Sequence, residues 1–238
     1  MKATSKKFKT PPFKPNFENG GLWEYYKDLE RQFENYLQYV PYLVGNEKTY
    51  SYRLADLILS IGAHIDSTFK EIARYPDFEK KYPGILINSK GKQKNTTIWD
   101  YYDLSEEYSL PAKRVWFKRL PERQEIHPFR DYQKKIDKKG KEVIVCPNWW
   151  NVYNGVKHKF KDNFGKATLR VARNALAGAF LLNVVHIPGA LRLCEYGLVT
   201  NSVGNRVRPC SSFEHNLIAK MKPNKHVETS VFAYDYNQ

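Results

Sequence analysis

The stretch WWNVYNGVKHKFKDNFGKATLRVARN, Trp149 to Asn174, sets His158 among Lys157, Lys159, Lys161, Lys166, Arg170 and Arg173, with Asp162 as the opposing acid. Cations gathered before a helix that begins near Ala167 face the positive end of its dipole, a cost that a bound anion relieves. Phosphate is the natural anion for such a place. A neutral imidazole there can take a proton as a general base. The same residues also read as a solvated lysine loop whose histidine hydrogen-bonds the backbone.

Other polar groups could support that chemistry. On a helix expected to end near Arg74, Ser60, His64, Ser67 and Glu71 line a flank beside the apolar face, where bundle sites draw side chains. His64 is thus a candidate supporting residue, or a helix-edge histidine bonded to Ser60 or Ser67. Asp66 points to the opposite flank, at ion-pair spacing from Lys70. Trp149, Trp150 and Tyr153 beside the lysines suit stacking on nucleobases, and they equally suit filling a bundle seam. Asn183 shares a face with Leu169, Leu176 and Phe180, where a buried amide fixes helix register or reaches the polar site.

Helices must position these groups. Leu22, Tyr25, Tyr26, Leu29, Phe33, Tyr36, Leu37 and Val40 recur at helical spacing until Pro41 stops the run. Thr49 or Ser51 can cap a second helix carrying Leu54, Leu57, Ile58, Ile61, Ile65, Phe69 and Ile72 on one stripe. From Tyr75 to Pro147 the pattern loosens around repeated prolines. Within it, Thr97 to Asp100 reads as a capping box opening a short helix toward Tyr108. Arg114 to Leu120 and Glu142 to Cys146 could pair as a small hairpin. Pro147 and Asn148 open a third long helix. Ala167 to Ile187 is apolar on nearly every side, as a central helix is, and Pro188-Gly189 ends it. The remaining residues lack periodicity.

The chain has 238 residues with 39 Lys and Arg against 25 Asp and Glu, a net charge of +14, and is 42% hydrophobic and 15% aromatic. This composition excludes full-length disorder and collagen-like repeats. The positive field attracts polyanions, RNA before DNA, or an acidic protein partner, although a merely basic surface has the same composition. Lys2, Lys6, Lys7, Lys9 and Lys14 form an acid-free arm, and Lys134, Lys135, Lys138, Lys139 and Lys141 surround Gly140 as a loop tip. Cys146, Cys194 and Cys210 are too dispersed for a disulfide framework or structural zinc, and no metal or cofactor is expected. The leader lacks the apolar core of a signal peptide, and the longest apolar stretch, Ala175 to Val185, contains Asn183. A cytoplasmic protein without a membrane span is expected. No Walker loop or paired-Asp motif points to an ATPase or nucleotidyltransferase.

WWNVYNGVKH followed by ATLRVARNALAGAFLLNVV resembles the WWxxYNxxKH and ATLxNxLNALAxLF pattern of a bacterial helical family. LWEYYKDLERQFENYLQYV and TYSYRLADLILSIGAHIDSTFKEIA resemble that family's first two helices. About half the chain is covered, in a layout similar to HEPN-like domains of toxin, phage-defence and RNA-processing proteins. The resemblance implies a mainly α helical bundle. Its parts are a basic arm (1–19), a first helical pair (20–75), a decorated insertion that could hold a hairpin (76–146), a second helical half (147–188) and a C-terminal extension (189–238). It also implies metal-independent RNA cleavage, with Arg holding the phosphate and His moving protons, often across a homodimer. Here Tyr153 stands in the Arg position, Asn154 in the polar one, and His158 follows. A phenol is no cationic fork. The implied set is therefore His158 as proton carrier, Asn154 orienting it, and Lys157 with Arg170 or Arg173 on phosphate. Lys159, Lys161 and Lys166 widen the basic surface, with Tyr153, His64 and Asn183 behind. Arg208 and His215 share the spacing, but Pro209 disfavours a helix there. The alternative is a non-catalytic scaffold whose basic face docks nucleic acid, an acidic partner or a second subunit; the expected partners also include a protein antitoxin.

Overall fold

The computed structural model describes residues 21–120, 122, 124–201, 206 and 225–236. The lysine-rich arm, Cys210 and the Arg208–His215 pair lie outside the described residues. Among those described, the helices are α1 (Gly21–Leu37), α2 (Tyr52–Arg74), α3 (Pro76–Lys81), α4 (Tyr102–Glu107), α5 (Asn148–His158), α6 (Phe160–Asn163), α7 (Leu169–Val185) and α8 (Ile187–Glu195). The strands are β1 (Val115–Phe117), β2 (Gln124–Ile126), β3 (Gln133–Ile136), β4 (Glu142–Val145), β5 (Val199–Asn201), β6 (Lys225–Glu228) and β7 (Phe232–Asp235). The chain is mainly helical, and no helix among the described residues is long and apolar enough to cross a membrane.

The expected stripes form the bundle. In α1, Tyr26, Leu29, Phe33 and Tyr36 are buried, with Trp23 rather than Tyr25 completing the face. The helix ends at Leu37, short of the expected Val40. For α2 the cap is Ser51, whose side chain accepts from Leu54 N at 3.2 Å, and its whole aliphatic stripe is buried. Helix α7 packs against α1, α2, α5, α8 and β7. Within it, every residue except Arg170 and Asn174 is buried. Pro188 both stops α7 and occupies the first turn of α8, where its missing N–H costs nothing.

The sheet departs from expectation. A five-stranded antiparallel sheet runs β2-β1-β7-β6-β5, and β3-β4 form a separate ribbon. The expected hairpin between 114–120 and 142–146 is therefore incorrect. Val115 pairs with Ile126 and Phe117 with Phe232, whereas Val143 pairs with Lys135. Both segments have strand-forming residues, but each pairs antiparallel with a nearby strand. For β3-β4 the connection is a tight turn in which Gly140 takes φ 75°. Of the lysine run, Lys138, Lys139 and Lys141 sit on this turn, whereas Lys134 and Lys135 belong to β3. Rings join sheet to bundle: Phe232 contacts Phe117 (5.8 Å between centroids) and Phe180 (5.7 Å), and Phe180 in turn meets Tyr26 (5.7 Å). The 76–146 segment and the C-terminal strands thus belong to the same core as the helices.

Candidate nucleic-acid interface

Helix α5 lays Asn154, Lys157 and His158 on one face by its three-and-four spacing. Together with Tyr153 they line a cavity of about 390 Å³, completed by Asp66, Thr96, Thr97, Trp99 and Trp150. That volume lies in the range of small-ligand sites. Tyr153 is buried, and Lys157 Nζ donates to its hydroxyl at 3.4 Å while lying 5.4 Å from the ring centroid. The phenol that replaces the expected guanidinium thus helps place a cation, although a single ammonium gives no bidentate fork. His158 itself is exposed. Among the described residues no hydrogen bond joins Asn154 to it, so the expected orienting contact is missing.

The end of α5 is built by residues that the sequence did not single out. Asn163 Nδ2 donates to the carbonyls of Gly155 (3.2 Å) and Lys159 (2.9 Å), capping the turn that carries His158. A β-carbon on Gly155 would fall 2.8 Å from Asn163 Cγ, which explains glycine there. Opposite, Gly62 of α2 admits the Tyr153 ring, since a β-carbon would lie 2.3 Å from its Cδ2. The Thr97–Asp100 capping box forms as expected, with Thr97 N and Oγ1 donating to Asp100 Oδ2 at 2.8 and 3.0 Å. It delivers Thr96, Thr97 and the half-exposed Trp99 to the cavity. Asp66 pairs with Lys70 at 2.6 Å, as its spacing predicts, and also brings a carboxylate to the cavity.

The expected crowding of Lys157 and His158 at the entrance of α7 does not occur. Lys157 and His158 occupy the last turn of α5, a helix end that favours positive charge, rather than the entrance of α7. The first donors of α7 already have partners: Leu169 N bonds Thr49 O (2.8 Å), Arg170 N bonds Glu47 O (3.0 Å) and Val171 N bonds Thr168 Oγ1 (3.4 Å). Arg173 is buried. It donates to Gln124 Oε1 at 2.6 Å, lies 3.7 Å from Glu47 and covers the Tyr42 ring at 4.9 Å. Arg170, exposed, lies 3.9 Å from the same carboxylate. Glu47 is the anion these arginines face, and neither lines the His158 cavity. Lys159, Lys161 and Lys166 are exposed on the α6 side and do not line it either.

His64 and Asn183 meet inside the bundle, away from that cavity's lining. Asn183 Nδ2 donates to Ala179 O at 2.9 Å and lies 3.2 Å from His64 Nε2, so the amide ties α7 to α2. The expected serine partners are not used: Ser67 Oγ donates to Ala63 O. Burial, then the nearby His186, pushes His64 down to about 4. Burial outweighs the Leu182 carbonyl and brings His186 to about 4 as well. Trp149 and Trp150 are buried, so their packing role holds; Trp149 Nε1 donates to Pro128 O at 2.7 Å.

The chain matches no protein-family model, no curated protein and no solved structure. Among the described residues, no group of His, Cys, Asp or Glu is arranged to hold a metal ion.

Proposed function

We propose that the α5 cavity receives the backbone of RNA and that the chain is an HEPN-like RNA-associated protein working as a metal-independent endoribonuclease. The observation that carries this reading is the convergence of His158, Asn154, Lys157 and Tyr153 on one solvent-open cavity. In the reaction, the ribose 2′-hydroxyl gives its proton to His158 while its oxygen attacks the adjacent phosphorus. The bond from phosphorus to the 5′ oxygen breaks, and that oxygen takes a proton from water, whose hydroxide removes the proton from His158, leaving a 2′,3′-cyclic phosphate, a 5′-hydroxyl and a neutral imidazole. Lys157 offsets the charge that grows on the phosphoryl oxygens. A homodimer bringing two such cavities together, in a cytoplasmic defence or toxin-type setting, belongs to the same proposal.

Incubation with labelled RNA in EDTA tests it. Wild type should release fragments ending in cyclic phosphate, and His158→Ala should cut at a rate lower by about 10²- to 10⁴-fold. RNA left intact by wild type removes the nuclease reading. Tyr153 at the expected Arg position favours a second reading, a binding module that holds RNA without cleaving it. In that case intact RNA is retained with a steep salt dependence.

A further inference from the structure

Where α2 begins and α5 gives way to α6, aromatic rings face water. Tyr50 is 54% exposed and Tyr52, the first residue of α2, is 69% exposed. Tyr52 lies nearly parallel to Phe164 (4.5 Å between centroids, 29°) and to Phe160 (6.0 Å, 12°). Those two rings stack on each other at 5.3 Å and 28°, and Tyr50 meets Phe164 edge-on at 5.4 Å. The result is a tile of near-parallel rings with Tyr50 at its margin.

The backbone holds this tile in place. Tyr50 forms an antiparallel bridge with Thr168, the Thr49 and Glu47 carbonyls bond the start of α7, and Asn163 fastens α6 beneath α5. Little ordering is therefore left for a ligand to impose. Packing alone would not leave Tyr50 and Tyr52 half or more in water. Lys48, Arg53, Lys159, Lys161 and Lys166 each lie within two residues of one of these rings in sequence, are exposed, and form no ion pair among the described residues. The acids nearest in sequence are Glu47, which faces Arg170 and Arg173, Asp56 and Asp162. Flat rings meet bases and flanking cations meet phosphates in surfaces that bind single-stranded nucleic acid.

We propose that Tyr50, Tyr52, Phe160 and Phe164 form a stacking platform for unpaired nucleobases, placed so that the strand continues into the His158 cavity. Phe160 is two residues from His158, at most about 7 Å of backbone. The inference rests on the RNA reading above and narrows it to unpaired strands, because a duplex hides the faces of its bases.

Binding by the full chain, carrying His158→Ala so that the strand persists, decides the matter. The probes are labelled oligoadenylate, the same strand annealed to its complement, and heparin. Tyr50→Leu with Tyr52→Leu, both at exposed positions, should weaken single-strand binding roughly 10- to 100-fold while duplex and heparin binding change less than about twofold. Tyr52→Trp, combined with native Tyr50, should bind the single strand at least as tightly as the parent. Unchanged single-strand affinity in the double variant, or an equal loss for all three probes, overturns the platform and leaves the RNA reading standing. Failure of the parent to bind any probe overturns the RNA reading and the platform with it. A double variant that binds RNA normally but loses a dimer in sedimentation would make the tile a subunit contact, against the proposal.

Discussion

His64 and His158 carry the same imidazole into opposite surroundings. His64 is 1% exposed, its Nε2 faces Asn183, and its Nδ1 has no partner among the described residues. His158 stands in water at a cavity rim beside Lys157. The core imidazole is held neutral by desolvation, and its polar atom is spent on joining helices. The rim imidazole can meet a substrate. Burial and access, more than residue type, divide a structural histidine from a candidate proton carrier.

The sharpest way to break this contrast is at Gly62, which separates the core from the rim. Gly62→Val forces a side chain into the Tyr153 ring and should cost about 3 kcal/mol, the upper range for overpacking, measured by urea unfolding. The displaced ring would also reshape the His158 cavity, so an RNA-cleaving wild type should lose activity in the same variant.

Acidification tests the buried side of the contrast. For His64 and His186, folded values near 4 lie below the ordinary histidine value, so the unfolded chain binds protons first. Their stabilising effect is complete above the unfolded value and is lost as pH falls from about 6.5 toward about 4. Between pH 8 and pH 5 each ring should remove about 2 kcal/mol of stability. His64→Leu should cancel roughly half of that slope, because its share of proton uptake disappears. A slope that survives unchanged in this variant would refute the assignment. The smallest effect is expected at the rim's support: Thr97→Ala should cost about 1 kcal/mol by loss of the capping box. It should leave the acid slope as it was, since neither buried imidazole touches that turn.

Local periodicity made the bundle readable. The stripes of α2 and α7 are set by contiguous residues, and so is the α5 face carrying Asn154, Lys157 and His158. Long-range pairing was not readable. β1 finds β7 across about half of the chain, and the segment supplying β7 has no periodic signal. Glu30, on α1, is 5% exposed. It accepts from Tyr26 Oη at 3.0 Å, Val231 N at 3.3 Å and Thr229 Oγ1, with burial raising its carboxyl above the usual range. Tyr26 is a neighbour on α1, but nothing near Glu30 in sequence announces Thr229 and Val231. Arg173 shows the same limit: its charge was legible, but Glu47 and the Tyr42 ring that absorb it come from another segment. Asp66, Thr96 and Trp99 reach the cavity in the same way, from elements whose own patterns describe only their helices.

The β1–β7 seam also sets a timetable for biogenesis. Until β7 is made, Trp116 and Phe117 have an open hydrogen-bonding edge, and Phe180 has Tyr26 beside it but lacks Phe232. Emerging chains therefore carry a sticky, half-built sheet until β7 leaves the ribosome, an interval in which chaperone capture and mispairing between neighbouring nascent chains compete with correct closure.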